Sequence, residues 1–187
     1  MLIAVFKKSM LIGSALVAVA TSAALSQPST VVLVRHGEKA ADPPSDPPLS
    51  AAGQQRARDL AHALADARVG MIVTTQFERT KATARPLADS LHQTMTVVAT
   101  GSMKEHIEAT AAKVKSAPKG STVLVVGHSN TLSLIIAALG GPSMPELCDP
   151  EYSNLFVLEM GGSTKLIRGH FGAADPPDAA SCRTARY

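Results

Sequence analysis

Arg35, His36 and Gly37 stand together where an apolar run ends, in "VVLVRHGEKA" at residues 31–40. Two further places carry matching side chains: Arg79 in "FERTKATARPLADSLH" (77–92) and His128-Ser129-Asn130 in "STVLVVGHSN" (121–130). An arginine fork matches the oxygens of a phosphate bidentately and stays charged at every working pH. Two of them would neutralise a phosphoryl dianion without a metal. A neutral histidine is a competent nucleophile toward phosphorus, and a second, protonated one can stabilise the charge that gathers on the phosphoryl oxygens. Gly37 has no β-carbon, which would let backbone approach a substrate closely. Ser129 and Asn130 precede a helical stretch whose free N–H groups would point toward the same anion.

This chemistry requires three distant segments to meet. Apolar β-branched runs alternate with amphipathic helical stretches along the chain. Strands are expected at "TVVLVR" (30–35), "VGMIVTT" (69–75), "TMTVVAT" (94–100) and "STVLVVG" (121–127). Helices are expected from an N-cap at Ser50 to about Ala67, over 77–92 with a kink or restart at Pro86, over 104–117, and over 131–141. The first helix places Ala57, Leu60, Ala61 and Leu64 on one face. "ADPPSDPPLS" (41–50) is a loop, with four prolines in ten residues. "NLFVLEM" and "TKLIRGH" read as two strands joined by a turn at Gly161-Gly162, adding at a sheet edge. Continuous apolar strands between helices imply an α/β three-layer sandwich, with a mostly parallel central sheet flanked by helices. Ligands of such sheets bind outside the carboxyl ends of the strands. Those ends would deliver Arg35-His36, Thr74-Thr75 with Arg79, and His128-Ser129.

Four blocks, "LVRHGEK" (33–39), "LSAAGQQRA" (49–57), "TTQFERTKATARPLA" (74–88) and "VVGHSNTL" (125–132), resemble the histidine phosphatase superfamily, the phosphoglycerate mutase-like group with the Arg-His-Gly signature. They occur in that family's order. The small size and apolar start look most like its short bacterial phosphatases. The resemblance implies that His36 is the nucleophile that becomes phosphohistidine, and that Arg35 and Arg79 bind phosphate. It further implies that His128 is the second pocket histidine, with Ser129 adding its backbone N–H. No metal or other cofactor is implied. Many members also carry a carboxylic acid that protonates the leaving oxygen. Glu105 is the acidic residue nearest the relevant strand end, Glu38 is its rival beside the nucleophile, and a third possibility is no such acid. His62 and His92 read as helix-surface residues, His106 and His170 match no motif, and Tyr152 and Asn154 read as a loop residue and a strand start, with a pocket-facing position as the alternative.

The first 26 residues have a basic start (Lys7, Lys8), an apolar run and a small-residue end at Ala24-Leu25-Ser26, the layout of a secretory signal peptide. The apolar run is shorter than the ~20 residues of a spanning helix; an uncleaved anchor is the alternative. Cleavage would leave 161 of the 187 residues (27–187) as a single domain. It removes two of 18 basic residues, leaving 16 against 15 acidic, or +1. A nearly neutral chain with 3% aromatic residues does not resemble a nucleic-acid binder. In an oxidising compartment Cys148 and Cys182 would form one disulfide tying down the C-terminal tail; two free thiols are the alternative. Neither cysteine has zinc-ligand spacing.

The expectation is therefore an exported, periplasmic or secreted phosphomonoesterase working through phosphohistidine at His36. Its substrate would be a phosphorylated sugar, glycan or protein side chain, held in an open site shaped by loops 38–48, 99–104 and 142–154. Two other readings stand beside it: a small-metabolite phosphotransferase or mutase, and a non-catalytic envelope module that binds phosphorylated ligands.

Overall fold

The computed structural model describes residues 28–179 with 181 and 182; the expected signal peptide lies outside the described residues. Thr30–Arg35 (β1) and Thr122–Gly127 (β4) form the centre of the sheet, paired in parallel from Thr30 opposite Thr122 to Arg35 opposite Gly127. Both are runs of β-branched residues that bury side chains on two faces, which suits a covered parallel sheet and little else. Val69–Thr74 (β2) pairs in parallel with β4 and with the two-residue strand Thr96–Val97 (β3). Asn154–Glu159 (β5) runs antiparallel to β1, and Lys165–His170 (β6) antiparallel to β5. The sheet order is β3-β2-β4-β1-β5-β6, a mixed six-stranded sheet with the expected terminal hairpin at one edge.

Strand alternation sends neighbouring residues to opposite faces, so each face has its own core. Val31, Leu33, Val123 and Val125 pack with Ile107, Ala111 and Val114 of the helix Met103–Lys115 (α3) and with Leu132, Ile135 and Ile136 of the helix Leu132–Ala138 (α4). Val32, Val34, Leu124 and Val126 pack on the other side with Leu60 of the helix Ala51–Ala63 (α1) and with Ala84, Leu87 and Ala88 of the helix Glu78–Ser90 (α2). Ser50 caps α1 as expected, its hydroxyl accepting from Gly53 N–H at 3.2 Å.

Four boundaries differ from the expected ones. α1 stops near Leu64 rather than Ala67, because the chain turns into β2 through Arg68 in the left-handed region (φ 53°). α2 runs unbroken through Pro86. The bond lost is that to the Ala82 carbonyl, on a half-exposed face, while Ala84, Leu87 and Ala88 hold the other face in the core. β3 is far shorter than 94–100, since Gln76 draws the chain off the sheet edge by bonding Thr100 through its N–H (2.9 Å) and hydroxyl (2.7 Å). α4 ends at Ala138, short of 141, and Gly140 turns the chain at φ 89°, the stop that Gly140-Gly141-Pro142 marks in the sequence. The Cys148–Cys182 disulfide is formed, with a Cα–Cα separation of 5.8 Å.

Candidate active site

His36 is the first residue past β1, yet its N–H still bonds Gly127 O at 3.0 Å, so the ladder holds its backbone one residue beyond the strand. Rigid placement at a central strand end explains why an apolar run should finish on Arg-His. His128 is the first residue past β4, and the two imidazoles lie edge to face with centroids 5.4 Å apart. Arg79 enters from the first turn of α2 and lies over the Phe77 ring at 4.2 Å. Phe77 in turn meets the His128 ring edge-on at 5.5 Å. These groups open onto a cleft of about 320 Å³ at the carboxyl edge of the sheet, lined in part by Arg35, His36, Arg79, His128 and Ser129. The three strand ends singled out in the sequence converge there.

Hydrogen bonding assigns a tautomer to His36. Its Nδ1 lies 2.8 Å from Gly37 O, and a carbonyl can only accept. Nδ1 therefore carries the proton, and in the neutral ring Nε2 holds the lone pair. Burial lowers the His36 pKa to about 3, with Arg35, His128 and Arg79 adding repulsion against the opposing bond to Gly37. The ring is neutral at any ordinary pH and ready to act as a nucleophile.

For His128 the protein surroundings oppose the expected protonated form. Burial, then Arg79, His106 and Arg35, lower its pKa to about 4. Its Nε2 lies 3.1 Å from Thr75 Oγ1, which is 2.9 Å from Thr80 Oγ1. Thr80 Oγ1 donates to Phe77 O at 2.8 Å. With that hydroxyl proton committed, Thr75 donates to Thr80 and accepts from His128, which puts the His128 proton on Nε2. A bound phosphate dianion would favour a second proton on Nδ1, since an adjacent negative charge stabilises the charged ring.

Other expectations are corrected. A β-carbon on Gly37 would lie 2.9 Å from Gly53 O and 3.0 Å from Gly53 Cα, so Gly37 serves the packing of β1's exit loop on α1. Its N–H is committed to Thr83 Oγ1 at 2.9 Å. Ser129 lines the cleft but Asn130 and Ser129 lie in a turn before α4, and the Thr131 and Leu132 N–H groups bond His128 O at 3.1 and 3.2 Å. Glu105 is exposed in the first turn of α3 and does not line the cleft. Glu38 is committed to Arg56, accepting at 2.7 Å from Nη2 and 3.0 Å from Nε. The Glu105 carboxylate lies beside Gly101 at the cleft rim, 3.4 Å from where a β-carbon on that glycine would stand.

Asp149 and His106, not singled out in the sequence, stand at the cleft, and Tyr152 lies against Arg35. Asp149 accepts from Arg35 Nη2 at 2.7 Å, and Tyr152 stacks its ring 4.1 Å from the Arg35 guanidinium. His106, buried in α3, has Nδ1 at 3.2 Å from Ala99 O and also lines the cleft. His106 and Thr110 are spaced i, i+4 beside the Ile107-Ala111-Val114 stripe, a spacing that marks an inward face. His62 and His92 are exposed as expected, and His170 is 2.9 Å from Ser153 Oγ at the far edge of the sheet. Among the described residues no cluster of His, Cys, Asp and Glu could hold a metal ion, and no helix is long and apolar enough to cross a membrane.

Residues 31–106 match the family model of the histidine phosphatase superfamily (branch 1). No curated protein is similar enough in sequence to count as a relative. Among solved structures, the mycobacterial glucosyl-3-phosphoglycerate phosphatase in complex with VO3 is 17% identical with a TM-score of 0.59, covering 78% of this chain and 100% of its own. The alpha-ribazole phosphatase of Shigella flexneri is 16% identical with a TM-score of 0.59, over 78% of this chain and 100% of its own. SixA from Agrobacterium tumefaciens is 22% identical with a TM-score of 0.54, over 78% of this chain and 99% of its own. At these identities the likeness is one of fold. Over residues 31–106 the chain resembles the histidine phosphatase superfamily, and its fold is that of solved phosphatases of this type.

Proposed function

We propose that the protein is an exported phosphomonoesterase that hydrolyses its substrate through a phosphohistidine on His36. One observation carries the reading: Nδ1–H of His36 is tied to Gly37 O, leaving a neutral Nε2 lone pair in a pocket bearing two guanidinium groups. Arg35, Arg79 and His128 hold the phosphoryl oxygens while Nε2 attacks phosphorus. The P–N bond forms as the ester P–O bond breaks, and the departing oxygen takes a proton. Water then attacks the phosphohistidine, the P–N bond breaks, and inorganic phosphate leaves with Nε2 restored. The two guanidinium groups supply the charge neutralisation a metal would otherwise provide, so the reaction runs without one.

With Glu38 committed to Arg56 and Glu105 exposed at the cleft rim beside Gly101, no carboxylic acid is assigned to the leaving oxygen. The substrate is a small phosphate monoester on a sugar, glycan or protein side chain, accepted by the open cleft. The basic, apolar and small-residue order of residues 1–26 supports export to the periplasm or beyond. A pure phospho-ligand binder would have no use for a neutral nucleophile between two phosphate clamps. The His36→Ala protein, assayed with p-nitrophenyl phosphate beside wild type, is expected to lose hydrolysis by at least about a thousandfold. Unchanged hydrolysis would remove the mechanism.

A further inference from the structure

Arg35 is buried, and most of its donors are already engaged. Nη1 donates to two backbone carbonyls, Cys148 O at 3.1 Å and Asp149 O. Nη2 donates to the Asp149 carboxylate at 2.7 Å and to Tyr152 Oη at 3.3 Å. Nε is buried and makes no hydrogen bond among the described residues. The Nε–Nη2 edge is therefore the side of the fork left for a bidentate oxyanion, and a carboxylate oxygen already occupies half of it. Carboxylate and phosphate oxygens are equivalent partners for guanidinium donors, so both cannot hold that edge at full strength.

The two kinds of contact differ in how easily they yield. The carbonyls that hold Nη1 belong to a segment fixed by the Cys148–Cys182 disulfide and by Cys148 N–H bonded to Glu151 Oε2 at 2.7 Å. The Asp149 side chain is 82% exposed and can turn into solvent without moving that backbone. Building on the phosphatase reading above, we infer that Asp149 is an internal counter-anion: it pairs with Arg35 and must be displaced when the substrate phosphate binds. It keeps the buried guanidinium aimed and paired between turnovers. It also weakens the hold on any single phosphate, product included, which eases release.

The test is inorganic phosphate titrated calorimetrically into full-length wild type, Asp149→Asn and Asp149→Ala, a readout independent of turnover. Both variants are expected to bind phosphate about two- to tenfold more tightly, the worth of one partly exposed ion pair. A residue with a merely structural role would weaken binding when replaced. The gain should persist at about 1 M salt, where the screening length is about 3 Å, because the competition is a direct contact. Wild-type binding with no gain in either variant would overturn the inference while leaving the phosphatase reading intact. A gain that vanishes at high salt would also overturn it, as a long-range field effect. Absence of phosphate binding in all three proteins would remove the site reading and the inference together.

Discussion

Gly53→Ala tests whether the packing of α1 on the loop after β1 places the nucleophile. Gly53 lies in the first turn of α1, where alanine would be favoured by about 1 kcal/mol on helix propensity alone. Its new β-carbon, however, would come within 2.9 Å of Glu38 N and 3.0 Å of Glu38 C, with the Glu38 carbonyl oxygen nearer still. These are backbone atoms, so no flexible side chain can give way. Reaching an ordinary separation of about 3.5 Å from the Glu38 oxygen, 2.2 Å away, requires a shift of about 1.3 Å. The shift falls on Glu38, two residues from His36, and Gly37 packs on Gly53 by the same close approach. Overpacking of this kind costs about 1–3 kcal/mol, which outweighs the propensity gain. The melting temperature should fall by several degrees at most, since 1 kcal/mol is worth about 2–4 °C for a domain of this size. The activity should suffer more. A displacement of about 1 Å at the reacting atoms costs on the order of a hundredfold. Steady-state kcat/KM with p-nitrophenyl phosphate, together with thermal unfolding, measures both. A variant with wild-type kcat/KM and a raised melting temperature would refute the reasoning.

Two further perturbations follow from the same geometry. His36 is held near pKa 3, below the 6.5 of an unfolded chain, so below about pH 6.5 the unfolded state takes up a proton that the folded state refuses. Stability should therefore fall as the pH drops from 7 to 4, and His36→Gln should lose less than wild type in urea midpoints over that range; parallel losses would contradict the assignment. The disulfide closes a span of 34 residues, for which the chain-entropy estimate is about 3–4 kcal/mol. Replacing Cys148 and Cys182 with serine should lower stability by that order and weaken phosphate binding, because Cys148 O anchors Arg35. Unchanged phosphate affinity would detach the disulfide from the site.

Local regularity decided what could be read before folding. β1, β2 and β4 are apolar β-branched runs bounded by turn residues, so their positions and the residues at their carboxyl ends were legible. His36, Arg79 and His128 stand at or just past such ends. Asp149 and Tyr152 arrive on an irregular segment between α4 and β5, placed at the cleft by long-range bonds to Arg35. No periodicity in the sequence announces such contacts. Glu105 stands near a strand end as read, but the N-cap at Ser102 orients α3 so that His106 is buried while Glu105 stays exposed beside Gly101. Glu38 looked suitable because it lies close to His36, yet its ion pair with Arg56 turns it away. Gly37 was legible as a close approach, with the wrong neighbour: the partner is Gly53, itself part of the "LSAAG" block.

The proposed hydrolysis passes through a covalent bond between phosphorus and His36. Wild-type and His36→Ala protein should be mixed with excess p-nitrophenyl phosphate, quenched by denaturation at alkaline pH, and read by 31P NMR and peptide mapping. An acid-labile phosphoryl group is expected on the peptide containing His36, formed at least as fast as turnover and absent from the variant. Steady hydrolysis with no phosphoryl label, or with the label on another residue, would contradict it.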